Sequence, residues 1–171
     1  MSGQYATSAI NKIGQESLER RLACAATDAD ALGAVQLANI LESKNDFSLT
    51  QSAFDCLELW GNHPNHIEPI YAAASIFYEG RNIHLGLMAS EYAMAMRATL
   101  VNRNNWPLHE EATGWQLELL YARLLVLTDR VHEAMAHFGS VLVACDEIKR
   151  REVSEEVVVA SQRLSLCELI E

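Results

Sequence analysis

Histidines in three short stretches are the residues of this sequence best suited to acid–base or metal chemistry. His132 and His137 flank Glu133 in a segment that superficially matches a zinc-protease helix. That motif requires its first two histidines four positions apart on a helix, whereas these two are five positions apart. Five residues rotate the second imidazole by about 140° from the first, so one helix cannot direct both at one metal. We therefore predict that His132 and His137 are ordinary helix residues.

The other two histidine stretches also lack partners in the sequence. His63 and His66 are three positions apart in a predicted loop, and they could hold a metal only if two further ligands converged on them. His109 precedes Glu110 and Glu111, which is typical of the acidic first turn of a helix. The sequence has no phosphate-binding glycine loop and no serine nucleophile elbow. We predict no catalytic residue, no metal site and no cofactor.

Four cysteines are widely spaced and form no CxxC pair; they are Cys24, Cys56, Cys145 and Cys167. Each lies among apolar residues that favour a helix. Reduced, buried thiols are typical of proteins in a reducing compartment. The cysteine pattern therefore predicts a cytoplasmic protein without disulfides.

The composition is that of a globular protein with an acidic surface. The chain has 171 residues, half of them apolar, and a net charge of −10 from 23 acidic and 13 basic residues. A field of that sign repels phosphate backbones, so nucleic acid is not an expected partner. The most apolar run, 117–127, is interrupted by Glu118 and Arg123 and is too short to span a bilayer. We predict one domain, 1–171, that is not inserted in a membrane.

Apolar residues recur three and four positions apart through most of the chain, which indicates helices joined by short breaks. Ser48 with Gln51 forms a capping-box pattern, and Pro107 suits a first helical turn. Gly61 and Gly80 follow apolar segments closely and indicate two helix ends. The resulting predicted helices are 8–26, 28–44, 48–61, 66–80, 83–103, 107–128, 130–150 and 154–170.

An internal repeat accompanies these helices. Its clearest copy places small and bulky residues at Ala122, Leu125, Val131, Ala134, Phe138 and Val141. The same order appears 84 positions earlier, at Ala38, Leu41, Phe47, Thr50, Phe54 and Leu57. A degenerate copy lies between them, at Ala74, Phe77, Ile83, Gly86, Ser90 and Ala93. This pattern resembles the tetratricopeptide repeat, a helix–turn–helix unit of about 34 residues.

The middle copy also resembles the related Sel1-like repeat through Phe77, Gly80, Asn82, Ile83, Ala89 and Tyr92. The resemblance covers 31–148, and it implies an all-α superhelix of about three stacked antiparallel hairpins. An N-terminal helix in 1–30 and a capping helix in 149–171 would complete it. Spacing widens from 36 to 48 positions before the last copy, which predicts an extended helix and loop with Trp106 at its tip.

The resemblance also implies which residues face a partner, because the first helix of each hairpin lines a concave groove in that family. From the repeat register, the expected binding residues are Val35, Asn39, Tyr71, Ser75, Tyr78, Leu119 and Arg123. Val35 stands where the family's carboxylate clamp has lysine, so a clamp is not expected. Aromatic and aliphatic positions favour an apolar peptide, either extended or helical.

The predicted function is therefore a non-enzymatic scaffold, adaptor or chaperone that binds a protein or peptide. The acidic, three-repeat architecture resembles the small chaperones of bacterial type III secretion. Two alternatives remain open at this point. One is a self-assembling structural subunit, a homodimer formed by the C-terminal helix, and the other is an enzyme whose site is dispersed over several helices.

Overall fold

The structure is a computed structural model, and it describes residues 28–44, 48–99 and 106–168. Within these ranges every regular element is a helix, so the predicted all-α fold is confirmed. In chain order the helices are α1 Asp28–Ser43, α2 Leu49–Asn62, α3 Glu68–Glu79, α4 Ile83–Thr99, α5 His109–Thr113, α6 Trp115–Leu127, α7 Val131–Ala144 and α8 Glu147–Glu168. The predicted helix 8–26 lies outside the described residues.

The predicted helix 107–128 is wrong as a single element, because Gly114 divides it into α5 and α6. The backbone of Gly114 is extended, with φ −89° and ψ −165°, and these angles are incompatible with an α-helix. A Cβ atom at this position would lie only 2.5 Å from the backbone oxygen of Glu110. The break therefore depends on a residue without a side chain.

The boundary between the last two predicted helices is also wrong. Helix α7 ends at Ala144 rather than 150, and α8 begins at Glu147 rather than 154. Asp146 accepts a hydrogen bond from the backbone N–H of Lys149 at 2.8 Å, which caps the start of α8. Arg150 donates to the backbone oxygens of Leu142 and Cys145, which closes the end of α7.

Helices that follow each other in the chain pack against each other. Helix α1 packs on α2, α2 on α3, α3 on α4, α4 on α6, α6 on α7 and α7 on α8. The turns after α3 and α6 are three residues long and contain Arg81 and Asp129 in the left-handed region, with φ near 61° and 60°. Turns this short reverse the chain direction, so the helices that they join are antiparallel neighbours.

The buried apolar residues form two clusters that share α3. The larger cluster joins α3 to α8 and includes Ala122, Ala134 and Phe138. The smaller one joins α1, α2 and α3 and includes Phe77. The first small residue of each predicted repeat copy is buried, at Ala38, Ala74 and Ala122. No helix within the described part of the chain is long and apolar enough to cross a membrane.

Candidate functional site

The seven predicted binding residues do not form one continuous surface. Asn39 is exposed, whereas Val35, Ser75, Tyr78 and Arg123 are half-buried. The other two are in the core: Tyr71 is 9% exposed and Leu119 is 3% exposed. Tyr71 and Leu119 are therefore buried in this chain rather than exposed on an open face.

Helix packing explains the burial of Tyr71 and Leu119. Both belong to the larger apolar cluster, where α3 and α6 face each other and their neighbours. Burial raises the pKa of Tyr71, and a hydrogen bond with Ser75 offsets part of that shift. The repeat register places such residues on the inner face of a stack, but it does not indicate how closely neighbouring helices approach.

Tyr78 and Arg123 do come together, in a groove bounded by α3, α6 and α8. The groove has a volume of about 460 Å³. Its apolar lining residues are Val126, Leu127, Phe138, Val159 and Ala160. We refer to this feature as the α3–α6–α8 groove.

Polar and charged side chains also line the α3–α6–α8 groove. They are Tyr78, Arg81, Arg123, Glu152, Glu155 and Glu156. Both signs of charge are therefore present beside the apolar side chains. Polar groups of this kind can orient a ligand, while the apolar residues supply apolar contact.

A bidentate ion pair between Arg123 and Glu156, which both line the α3–α6–α8 groove, joins α6 to α8. Nε of Arg123 lies 2.8 Å from Oε2 of Glu156, and Nη2 lies 2.5 Å from Oε1. The hydrogen bonds to Glu156 raise the pKa of Arg123, against the opposing effect of burial. Two parallel bonds fix the relative position of the two side chains, so this pair fixes the distance between α6 and α8 at the groove.

Asn39 lies in a different groove, between α1 and α2. That groove has a volume of about 380 Å³ and is lined by Gln36, Asn39, Ile40, Asp55, Glu58, Leu59 and Asn62. Its lining is more polar, and its two charged groups are both acidic. Three of the seven predicted residues therefore lie in two separate grooves: Tyr78 and Arg123 in one, and Asn39 in the other.

Two of the three histidine stretches, those of His63 and His66 and of His109, meet in the fold. We define the histidine cluster as His63, His66, Glu68, Trp106 and His109. The ring of His66 stacks on that of Trp106, with 4.0 Å between centroids, and the ring of His63 approaches Trp106 edge-on at 5.3 Å. Trp106 is 3% exposed, and the segment 100–105 before it, where an extended helix and loop were predicted, lies outside the described residues.

Glu68 is the buried charge of the histidine cluster. It is 1% exposed, and its Oε1 lies 2.6 Å from Nδ1 of His109. Its Oε2 lies 3.9 Å from Nδ1 of His66 and has no hydrogen-bond partner. On the other side of the ring, Nε2 of His66 lies 3.3 Å from Oδ1 of Asp30 in α1.

The histidine cluster is a junction between helices, and sequence reasoning missed it. One contact, between residues 36 positions apart, joins α1 to the loop before α3, and another, between residues 41 positions apart, joins α3 to α5. No local spacing reveals either contact. Across the described residues, no group of three or more His, Cys, Asp or Glu side chains has an arrangement that could hold a metal ion. The stacking of His66 on Trp106 and the bond between Glu68 and His109 are packing contacts.

Two of the four cysteines lie in the described core. Cys56 and Cys145 are buried free thiols, as predicted. Burial, together with the nearby carboxylate of Asp55, raises the pKa of Cys56 to about 12, although Lys44 opposes the shift. A thiol with so high a pKa is a poor nucleophile. Cys24 and the side chain of Cys167 lie outside the described part.

Comparisons of the chain with models of protein families, with curated proteins and with solved structures found no match. The tetratricopeptide resemblance therefore rests on the residues quoted for it. The geometry of the grooves and clusters carries the functional argument.

Proposed function

We propose that this chain is a non-enzymatic interaction module that binds a segment of another protein in the α3–α6–α8 groove. The observation that carries the proposal is that Tyr78 and Arg123 line one groove together with several apolar side chains. Both residues were expected at a binding face from the repeat register. The groove volume of about 460 Å³ lies within the usual range of ligand pockets.

The lining defines the chemistry of the occupant. Val126, Leu127 and Val159 offer an apolar surface for a large aliphatic or aromatic side chain. Burying one such side chain contributes about 1.5–3 kcal/mol to binding. The phenol of Tyr78 and the ionised groups of the groove lining can then bond backbone and side-chain groups that flank the buried residue. A polypeptide segment supplies both kinds of group along its length.

The proposal includes the tetratricopeptide-like architecture and an adaptor or chaperone role in the cytoplasm. Burial of Ala38, Ala74 and Ala122 supports the repeat, since small residues permit close helix pairing. The buried thiols of Cys56 and Cys145 suit a reducing compartment. We keep type III secretion chaperones as one specialisation of this proposal.

A paired-variant capture experiment tests the groove. The full chain, a Val159→Glu variant and a Val143→Glu control are used as bait in extracts of the native source, with quantitative mass spectrometry. Val159 lines the groove, whereas Val143 is exposed on α7 outside it. We expect one or more proteins to be retained by the wild type and the control but lost with Val159→Glu.

A segment of the retained protein then provides a direct measurement. A fluorescent peptide from it should bind the purified wild type and the control equally, and Val159→Glu should weaken binding roughly tenfold or more. If no retained protein distinguishes Val159→Glu from Val143→Glu, the groove is not the binding site and the proposal fails.

A further inference from the structure

The outward face of α8 carries an exposed stripe of mixed chemistry. Ile148 and Val158 are 81% and 57% exposed, and the side chains of Arg151 and Glu155 between them are 88% and 76% exposed. Steps of three, four and three residues keep all four within an arc of about 80° over a length of about 15 Å. We call these four residues the α8 seam.

The α8 seam is self-complementary. Its spacing is the same in both directions, with an apolar residue at each end and opposite charges between them. A two-fold axis beside position 153 would place a second α8 antiparallel to the first. Ile148 would then face Val158 of the second copy, and Arg151 would face Glu155 of the second copy. Each of these contacts would occur twice.

We propose that two copies of this chain associate through the α8 seam. We choose a second copy as the occupant because one two-fold rotation brings each charge of the seam opposite a charge of the other sign. The same rotation brings each apolar end opposite an apolar end. Within one chain, Arg151 and Glu155 lie 3.9 Å apart and are almost fully exposed. Such a pair holds its partners weakly, so both groups are available to a second molecule.

The size of the α8 seam determines how the dimer behaves. One pair of short helix segments buries less area than a standard protein–protein interface, so association depends on protein concentration. Its two ion pairs are near the surface, so added salt weakens the dimer. The burial of Ile148 and Val158 persists at high salt.

The α8 seam and the α3–α6–α8 groove can be tested separately. Glu155 borders both features, but Ile148, Arg151 and Val158 do not line the groove. Substitution of Arg151 therefore changes self-association without changing the groove lining. The proposal goes beyond peptide binding, and the seam can be present whether or not the groove binds a partner.

Sedimentation equilibrium of the full chain over a range of concentrations tests the α8 seam. Arg151→Glu and Glu155→Arg should each weaken the dimer roughly tenfold or more, because each places like charges opposite one another. An equimolar mixture of the two variants should recover association, since each heterodimer regains two opposite-charge pairs. The double variant Arg151→Glu/Glu155→Arg should recover it as well.

Matched controls exclude effects of net charge and apolar surface. Arg81→Glu makes the same charge change outside the seam, and Leu32→Ser removes an exposed apolar residue from α1; both should dimerise like the wild type. Ile148→Ser should weaken the dimer. A chain that stays monomeric at every concentration overturns the proposal, and so does a dimer that both single charge reversals leave intact. Failure of the mixed charge variants to associate would also overturn the proposal.

Discussion

The buried carboxylate of Glu68 lies 2.6 Å from the ring of His109, so the first residue of α3 is tied to the first residue of α5. The two residues are 41 positions apart, and the segment between them includes the whole of α4. This bond fixes α5 against the N-terminus of α3, where negative charge is favoured by the helix dipole.

Removal of His109 tests the importance of that bond. His109→Ala leaves the carboxylate of Glu68 buried without a hydrogen-bond partner, so the free energy of unfolding should fall by about 2 kcal/mol. The double variant Glu68→Leu/His109→Ala removes the orphaned charge and should be more stable than His109→Ala alone. Urea denaturation measures both values. His132→Ala, at an exposed position on α7, is the control and should resemble the wild type.

Gly33 of α1 is predicted to be irreplaceable because Trp106 lies directly against it. A Cβ atom there would lie 2.4 Å from Cη2 of Trp106 and 2.9 Å from Nε2 of His63. Gly33→Ala should therefore lower the free energy of unfolding by about 1–3 kcal/mol.

Gly139→Ala is the matched control, because α7 has open space at that position. It should stabilise the protein by up to about 1 kcal/mol through helix propensity, and equal effects at both sites would contradict the close contact.

The small repeat residue of α6 is predicted to resist enlargement. Ala122 is fully buried in the larger apolar cluster, so Ala122→Leu must displace its neighbours. We expect a loss of about 1–3 kcal/mol in the free energy of unfolding. Ala136→Leu on the exposed side of α7 is the control and should have little effect. An Ala122→Leu protein as stable as the control would mean that α6 and its neighbours are not closely packed there.

The pH dependence of stability should include a contribution from Glu118. Burial alone would raise its pKa, but hydrogen bonds from His137 and Arg97 hold the pKa below its ordinary value of 4.5. A lowered pKa means that the ionised group stabilises the folded state above its unfolded-state pKa and that this contribution disappears as pH falls through the folded-state value. The wild type should therefore exceed Glu118→Gln in stability near neutral pH.

Thermal unfolding between about pH 6 and about pH 3 measures this difference, which should shrink as the solution becomes more acidic. Glu42→Gln, an exposed carboxylate on α1, controls for the change in net charge. A difference between wild type and Glu118→Gln that stays constant over the whole range would show that the ionised carboxylate contributes nothing.

Helix positions could be predicted from the sequence wherever local chemistry decides them. Helix α2 starts at Leu49 after Ser48, as the capping-box pattern predicts, although Gln51 bonds Asp55 and Ser48 makes no side-chain capping bond. Periodicity alone extends a helix through Gly114 and Cys145, so both breaks were missed. The local features that make these breaks are the absence of a side chain at Gly114 and the cap that Asp146 provides for α8.

The candidate site was less predictable than the helices. The repeat register predicted Tyr78 and Arg123 as binding residues. It also predicted Tyr71 and Leu119, which are buried. The bond between Arg123 and Glu156 was not visible because its partners are 33 positions apart. Pairings at that separation depend on how helices pack, which one sequence does not encode in any local pattern.

Because α3 contributes to both apolar clusters, it should be the last helix to open. Nine of its twelve residues are buried; Ile70 and Ala74 face the larger cluster, while Ala73 and Phe77 face the smaller one. Separation of either half of the molecule would expose one side of α3 but leave the other side packed. Backbone amides of α3 should therefore exchange with deuterated solvent only through global unfolding, while those of α1 exchange through smaller fluctuations.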